Sequence, residues 1–319
     1  MLRRIVLGLV SLVLAAVLYV AIGLFLAKRA IVRIAPPLPS AEDVMDFDPT
    51  ADLPVKLSYW NTADQKVPRS AVLEAKLDPN PTAPYVLGLP SFVLEWADGR
   101  IFLVDLGMDP AAAKDFGRPS ELLIGASPMQ THGSIAEKLG AALERVGGIS
   151  FTHEHTDHTE GVTELCRLHP GPIPVYLGRL WSEESNYTTR PGLRLLDAAK
   201  CLDQRTVEGG PLLGIRGFPG LSFFAAAGHT PGSQVFVAHV RTGDSVKTWI
   251  LAGDIANNID GIRHNVPKPR MYSVLLVPEA TQRLDTLRRF LQELERDHGA
   301  TVLVAHDLLA LQASGIPSL

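Results

Sequence analysis

From Ile5 to Ala27 the chain carries no charged side chain and is mostly apolar, with Arg3 and Arg4 before it and Lys28, Arg29 and Arg33 after it. A helix needs about 20 such residues to cross the hydrocarbon core of a bilayer. A cleavable signal peptide has an apolar core of about 7–15 residues and small residues at its cut site. This run is longer and lacks a clear cleavage signal, so residues 1–30 are expected to form an uncleaved single-span anchor. Basic residues flank both ends, which nearly balances the orientation. The expectation leans to an N-terminus inside and a main domain outside the cytoplasm. Residues 31–54 hold Pro36, Pro37, Pro39, Pro49 and Pro54 with few periodic apolar positions, the pattern of a semi-rigid tether.

From residue 55 to 319 short alternating runs interleave with helical periods, as in one large α/β domain. Val55–Trp60 reads as an edge strand. Ser91–Glu95 and Arg100–Leu106 alternate around Ala97-Asp98-Gly99, a hairpin signal. Residues 111–131 hold Gly117, Pro119, Gly125 and Pro128 and read as loop. Ser134-Ile135-Ala136-Glu137 is a capping box, opening a helix expected to stop at Gly147-Gly148. Strands are expected at Ile149–Thr152, Ile173–Leu177, Leu221–Ala226, Gln234–Val240, Thr248–Ala252 and Thr301–Ala305. Helices are expected at Val162–His169 and Pro278–His298, the latter with Leu284, Leu287, Leu291 and Leu294 at helical spacing. Residues 178–210 give no clear period.

Composition adds little. Of 319 residues, 46% are hydrophobic and 20% charged, and the net charge of -4 gives no reason to expect nucleic acid as a partner. Cys166 and Cys201 lack metal-ligand spacing; two reduced, buried thiols are the simpler expectation, and one bridge in an oxidising compartment the alternative.

The chemistry concentrates in Phe151–Gly161, which reads Phe-Thr-His-Glu-His-Thr-Asp-His-Thr-Glu-Gly. At a strand's end His153 and His155 project to one side. Asp157 and His158 follow where the chain turns into a helix and can face a neighbouring point. Neutral imidazoles and a carboxylate suit a borderline divalent metal, and two groups of ligands suggest two ions. This segment resembles the His-x-His-x-Asp-His signature of the metallo-β-lactamase-fold hydrolases. Further segments resemble the same family in the same order: Asp105-Leu106-Gly107-Met108, Gly228-His229-Thr230-Pro231-Gly232, Ala252-Gly253-Asp254, and His306 at the last strand's tip.

The resemblance implies an αββα sandwich of two mixed β-sheets flanked by helices over residues 55–319. It implies that His153, His155 and His229 hold one metal, that Asp157, His158 and His306 hold a second, and that Asp254 bridges them. Asp105 would support the site from behind. The cofactors would be two divalent ions, zinc first, with iron or manganese able to use the same set. A hydroxide bridging them would attack an ester, lactone or thioester of a small-molecule substrate, with Asp157 steering a proton to the leaving group. A phosphodiesterase, a β-lactam hydrolase or an idle membrane-tethered metal-binding domain are the alternatives. The Asp-x-Gly-Met and His-Thr-Pro-Gly segments are similar to the acyl-homoserine-lactone lactonases, which carry a tyrosine three residues after the bridging aspartate. Here that position is Asn257. The remaining histidines read more simply: His132 as a surface loop residue, His169 as a helix-end cation, and His239 as a sheet residue. His264 lies in a Pro-rich loop that could overhang the site.

Overall fold

A computed structural model describes residues 2–169, 171–181 and 183–319. Two sheets face each other across a core of Phe92, Leu94, Phe102 and Val104 on one side and Phe223, Phe236, Ala238 and Leu251 on the other. The first holds seven strands: β1 (Lys56–Lys66), β2 (Val86–Glu95), β3 (Ile101–Val104), β4 (Gln130–Thr131), β5 (Val146–Ser150), β6 (Ile173–Gly178) and β7 (Leu202–Val207), in the order β4-β1-β2-β3-β5-β6-β7. The second holds β8 (Leu213–Gly214), β9 (Leu221–Ala225), β10 (Gln234–Thr242), β11 (Ser245–Leu251) and β12 (Thr301–Leu303), in the order β12-β11-β10-β9-β8. Both sheets are mixed: β3, β5, β6 and β7 pair in parallel, as do β11 and β12, and the other neighbours are antiparallel.

Helices cover both outer faces. Helix Thr281–Arg296 buries Leu284, Leu287, Leu291 and Leu294 against Val235, Val237 and Ile250 of the second sheet. Each such leucine contributes about 1.5–3 kcal/mol of burial. Helices Ile135–Leu139, Val162–Leu168 and Arg190–Ala198 cover the first sheet over Ile149, Val175 and Leu177. The result is the αββα sandwich. Because β10 is antiparallel to both β9 and β11, and β11 is parallel to β12, strands β9, β11 and β12 all end at one edge of their sheet.

Several local expectations give way. Residues 110–124 are helical in spite of Gly117 and Pro119. Gly117 lets this helix press onto Met129, whose atoms lie 2.9 Å from where a Cβ would stand, and its carbonyl accepts a bond from Gln65 Nε2. Tertiary packing overrides the weak local propensity there. The capping box of Ser134 and Glu137 is present, but its helix ends at Leu139, and Gly147-Gly148 lie within β5. A Cβ on Gly148 would come within 2.9 Å of both Phe102 and Tyr176, so glycine there serves close ring packing and stops no helix. Strand β1 runs on to Lys66 and is flanked on both sides, so it is no edge. The two cysteines are not reduced: Cys166 and Cys201 form a disulfide that ties helix Val162–Leu168 to the start of β7. The unread stretch 178–210 supplies helix Arg190–Ala198 and β7.

The N-terminal helix, Leu2–Arg33, has a mean hydropathy of 2.9 over its most apolar stretch, which is unburied. By length and composition it is a candidate membrane span. Only its foot meets the domain: Ala27 and Ile31 are buried, and Lys28 Nζ donates to the carbonyl oxygen of Glu279. The segment after it does not stand off as a tether. Ser40 and Asp43 form a capping box for helix Ala41–Met45, whose Ala41 and Val44 pack into the core beneath helix Thr281–Arg296. Arg241 holds it lower down through the carbonyl of Pro49 at 2.7 Å.

Candidate metal centre

The first sheet ends β5 at Ser150, Phe151 plugs the core, and Thr152 begins a turn that leads into the short helix Thr156–Thr159. That turn brings His153 and His155 together as their spacing predicts. Nδ1 of His155 lies 3.0 Å from Nε2 of His153 and 3.1 Å from Nε2 of His229, which follows β9. A tetrahedral zinc with metal–nitrogen bonds of about 2.0–2.1 Å separates its ligand nitrogens by about 3.3–3.4 Å. The three imidazoles are close to that spacing, and one ion could be held among them.

A second group abuts the first. Nε2 of His306, after β12, is 3.3 Å from Oδ2 of Asp157 and 3.1 Å from Oδ2 of Asp254, after β11. Nε2 of His158 is 3.7 Å from Asp157 Oδ2 and 3.5 Å from Asp254 Oδ1. Asp254 also reaches the first group, its Oδ2 lying 3.5 Å from Nε2 of His229. All seven side chains are nearly or wholly buried. Nε2 of His158 and Oδ1 of Asp254 are buried without any hydrogen-bond partner. Orphaned donors and acceptors of this kind are costly in a protein interior unless a ligand satisfies them. These residues fit a pair of divalent cations.

Electrostatics agrees. Burial, helped by His229, holds His155 down to about 3, in the neutral form that binds metal. Burial opposes charge on His306 as well, but Asp254 and Asp157 outweigh it and push it up to about 10. Burial likewise opposes charge on His158, and Asp105 and Asp157 overcome it, raising that imidazole well above its usual value. The two carboxylates thus draw positive charge into the pocket, as protons or as a cation in exchange for them.

Each ligand-type imidazole is aimed from behind. Nδ1 of His158 is 2.9 Å from Asp105 Oδ2, and Asp105 also accepts from Thr152 N at 2.7 Å and from Thr152 Oγ1 at 2.8 Å. Asp105 adopts a left-handed backbone, φ 60°, which aspartate tolerates better than most residues. Nδ1 of His306 donates to the carbonyl of Gly88 at 2.8 Å. Nδ1 of His229 lies 2.7 Å from Glu279 Oε1, which also accepts from Lys268 at 2.9 Å; Ser273 donates to the other oxygen. Such outer partners fix which ring nitrogen faces a metal.

Four residues of the site escape a reading of the chain. Glu279 and Lys268 lie far from any motif. Glu154 occupies a variable position between two histidines, yet its carboxylate accepts from Gly232 N at 2.8 Å and from Thr230 Oγ1, joining the two ligand-bearing loops. A Cβ on Gly232 would stand 2.3 Å from Glu154 Oε1, so only glycine fits there. Tyr272 brings a phenol against the side chain of Asn257, and burial, with Glu279, Asp254 and Asp157, keeps that phenol protonated. Among the other histidines, His132 pairs at the surface with Asp64 at 2.6 Å, His239 bonds Thr248 within the second sheet, and His264 is exposed beside Asp260; none joins the cluster.

A family model described as the metallo-beta-lactamase superfamily matches residues 86–306, more than half of the chain. The chain belongs to the metallo-beta-lactamase superfamily. Within this superfamily it is a metal-dependent hydrolase with a buried histidine–aspartate cluster. No curated protein matches it. Among solved structures it is similar to an N-acyl homoserine lactone hydrolase with N-hexanoyl-L-homoserine bound at its catalytic metal centre: 18% identity over 83% of this chain and 98% of that one, TM-score 0.61. A variant of B. thuringiensis AiiA with N-decanoyl-L-homoserine bound at the active site gives 18% over 83% and 98%, TM-score 0.62. AidC, a dizinc quorum-quenching lactonase, gives 14% over 79% and 88%, TM-score 0.54. At these identities the likeness is one of fold.

Proposed function

We propose that this metallo-beta-lactamase-superfamily hydrolase uses two divalent ions, zinc first, to cleave a carboxylic ester, lactone or thioester. His153, His155 and His229 hold one ion, Asp157, His158 and His306 hold the other, and Asp254 lies between them. The observation that carries this reading is the position of Asp254, with one oxygen within 3.5 Å of His229 Nε2 and 3.1 Å of His306 Nε2, next to an orphaned buried Oδ1 and an orphaned His158 Nε2.

When bound, such a pair supplies Lewis acidity and a water acidic enough to act as a nucleophile near neutral pH. The chain's own residues do the rest. Asp157, kept ionised by His158 and His306 in spite of its burial, takes the released proton and delivers it to the leaving oxygen or sulfur. The Tyr272 phenol, held protonated beside Asn257, donates to the substrate carbonyl as negative charge grows there. Two structural neighbours carry bound acyl-homoserines, which makes an ester or lactone the first substrate class to test.

We further read residues 1–30 as a bilayer-spanning anchor, residues 31–54 as its connection and residues 55–319 as the catalytic domain. The disulfide supports an oxidising, extracytoplasmic setting for that domain. The test is elemental analysis of the full chain purified in detergent, paired with ester, lactone, thioester, β-lactam and phosphodiester substrates. About two zinc per chain with turnover of a carboxylic ester or lactone is the expected result, and Asp254→Ala should lose both. Full activity with metals retained in that variant would remove Asp254 from the centre, and turnover of the phosphodiester alone would move the substrate class.

A further inference from the structure

The turn Tyr272–Leu276 has two unlike faces. Inward, Ser273 donates to Glu279, the residue that aims His229, and Tyr272 meets Asn257. Outward, Met271, Val274, Leu275 and Leu276 are 72%, 44%, 50% and 63% exposed. Four large apolar side chains on one turn are more than scattered surface hydrophobicity, and such patches mark contact sites. Tyr187 joins them: it is 45% exposed, and its hydroxyl lies 3.3 Å from the carbonyls of both Leu275 and Leu276. The next residue, Thr188, is 3.0 Å from His155 Nε2. The wall of the metal-binding cluster on this side is therefore a thin one, polar within and apolar without.

This wall stands at the foot of the N-terminal helix. A half-open cavity of about 830 Å³ is lined by Tyr19, Leu24 and Arg33 of that helix together with Tyr187, Leu275 and the polar Glu184 and Arg190. A helix of 32 residues is about 48 Å long, whereas the hydrocarbon core is about 30 Å thick. On the anchor reading, with Arg29 and Arg33 at headgroup depth, the stretch from Tyr19 to Leu26 would lie inside the lipid, and Leu275 shares a cavity with that stretch. That reading puts the exposed turn level with the membrane boundary, beside the apolar surface of the helix.

We propose that Met271–Leu276 and Tyr187 sink into the lipid surface beside the anchor, and that the substrate reaches the site from the bilayer as an amphiphilic ester or lactone whose acyl chain stays in the lipid. This rests on the anchor and ester-hydrolase readings above, and the test separates all three. The two native cysteines are paired, so a single introduced thiol can be labelled. Nitroxides are placed on Leu275→Cys, on Leu12→Cys within the span, and on Val55→Cys at the far end of β1 from the site, in the full chain in phosphatidylcholine–phosphatidylglycerol vesicles. Docking is supported if positions 12 and 275 collide preferentially with oxygen and position 55 with a water-soluble nickel chelate. If 12 is immersed but 275 meets nickel, the docking is wrong while the anchor stands; if 275 is shielded from both, a second protein surface covers it; if 12 also meets nickel, the anchor fails and the docking with it.

For the substrate, Leu275→Glu/Leu276→Glu is compared with the unsubstituted chain on a long-chain ester embedded in vesicles and on a short soluble ester. The embedded substrate should lose about tenfold or more, with soluble turnover unchanged. An equal change on both esters, or none, overturns access from the lipid. If the unsubstituted chain cleaves neither ester, the hydrolytic reading fails instead, and the nitroxides still decide the docking.

Discussion

Oε1 of Glu279 lies 2.7 Å from Nδ1 of His229, so a carboxylate from the loop before helix Thr281–Arg296 fixes the ring of a residue fifty positions earlier. Burial opposes its charge, but Lys268 and His229 hold it down to about 2, which makes it a permanent anion behind the ring. Glu279→Gln should keep the bond from Ser273 yet weaken metal binding by about 10–100-fold. Competition against a chromophoric chelator measures this directly, and an unchanged affinity would show that Glu279 does not tune the centre.

Glu154 joins the loop of His153 and His155 to the loop of His229. Glu154→Ala leaves the Gly232 amide and the Thr230 hydroxyl buried without their acceptor, at a cost of about 1–3 kcal/mol. Because burial raises this carboxyl to about 7, Glu154→Gln should be much milder. Chemical denaturation of the two variants side by side tests the ordering, and equal losses would contradict it.

These two residues also mark what a sequence alone can carry. The seven ligand-type side chains were legible because they sit just past strand ends in a fixed order, and the backbone path alone brings strand ends of one edge together. Glu279, Lys268 and Tyr272 were not, because their neighbours in space are set by how the last helix packs on the second sheet, and no local period encodes that. The helix at residues 110–124 was hidden for the opposite reason: its local signals, Gly117 and Pro119, point to loop, and only packing on Met129 reverses them. The disulfide stood only as the alternative to two thiols, because a separation of 35 residues says nothing about distance until the helix and β7 are laid side by side.

Tyr272→Phe removes the phenol but not the ring. Metal content should stay as in the unsubstituted chain, and kcat on a lactone or ester should fall on the order of a hundredfold, the loss typical of one oxyanion donor. A fall in KM affinity alone, with kcat intact, would make Tyr272 a wall residue only.

Cys166 and Cys201 close a loop of 35 residues, for which chain entropy gives about 4 kcal/mol of stabilisation. Cys166→Ser/Cys201→Ser should lower the midpoint of denaturation accordingly, and added reductant should bring the unsubstituted chain to the same midpoint. A variant as stable as the parent would show the bond to be incidental.

His239 is buried in the second sheet, stacked on Phe47 and bonded to Thr248. Burial brings it down to about 4, against a weak opposing pull from Asp46. A histidine depressed on folding stabilises the native state above its unfolded value near 6.5, and the contribution is lost as pH falls from there toward 4. The slope attributable to this group is at most about 1.4 kcal/mol per pH unit across that window. His239→Gln should flatten the fall in melting temperature between neutral and mildly acidic pH, and parallel curves would assign the fall to other groups.

Lys28, on the N-terminal helix, donates to the backbone of Glu279, whose side chain in turn orients His229. The N-terminal helix and the ring of His229 are thus two contacts apart. A fragment cut below that helix would lose the Lys28 contact to the backbone of Glu279, together with the seat of Ala27 and Ile31 on the domain. Its kinetics would describe a loosened relative of the full chain, and on the proposed anchor reading the tilt of that helix becomes a quantity to which the site can respond.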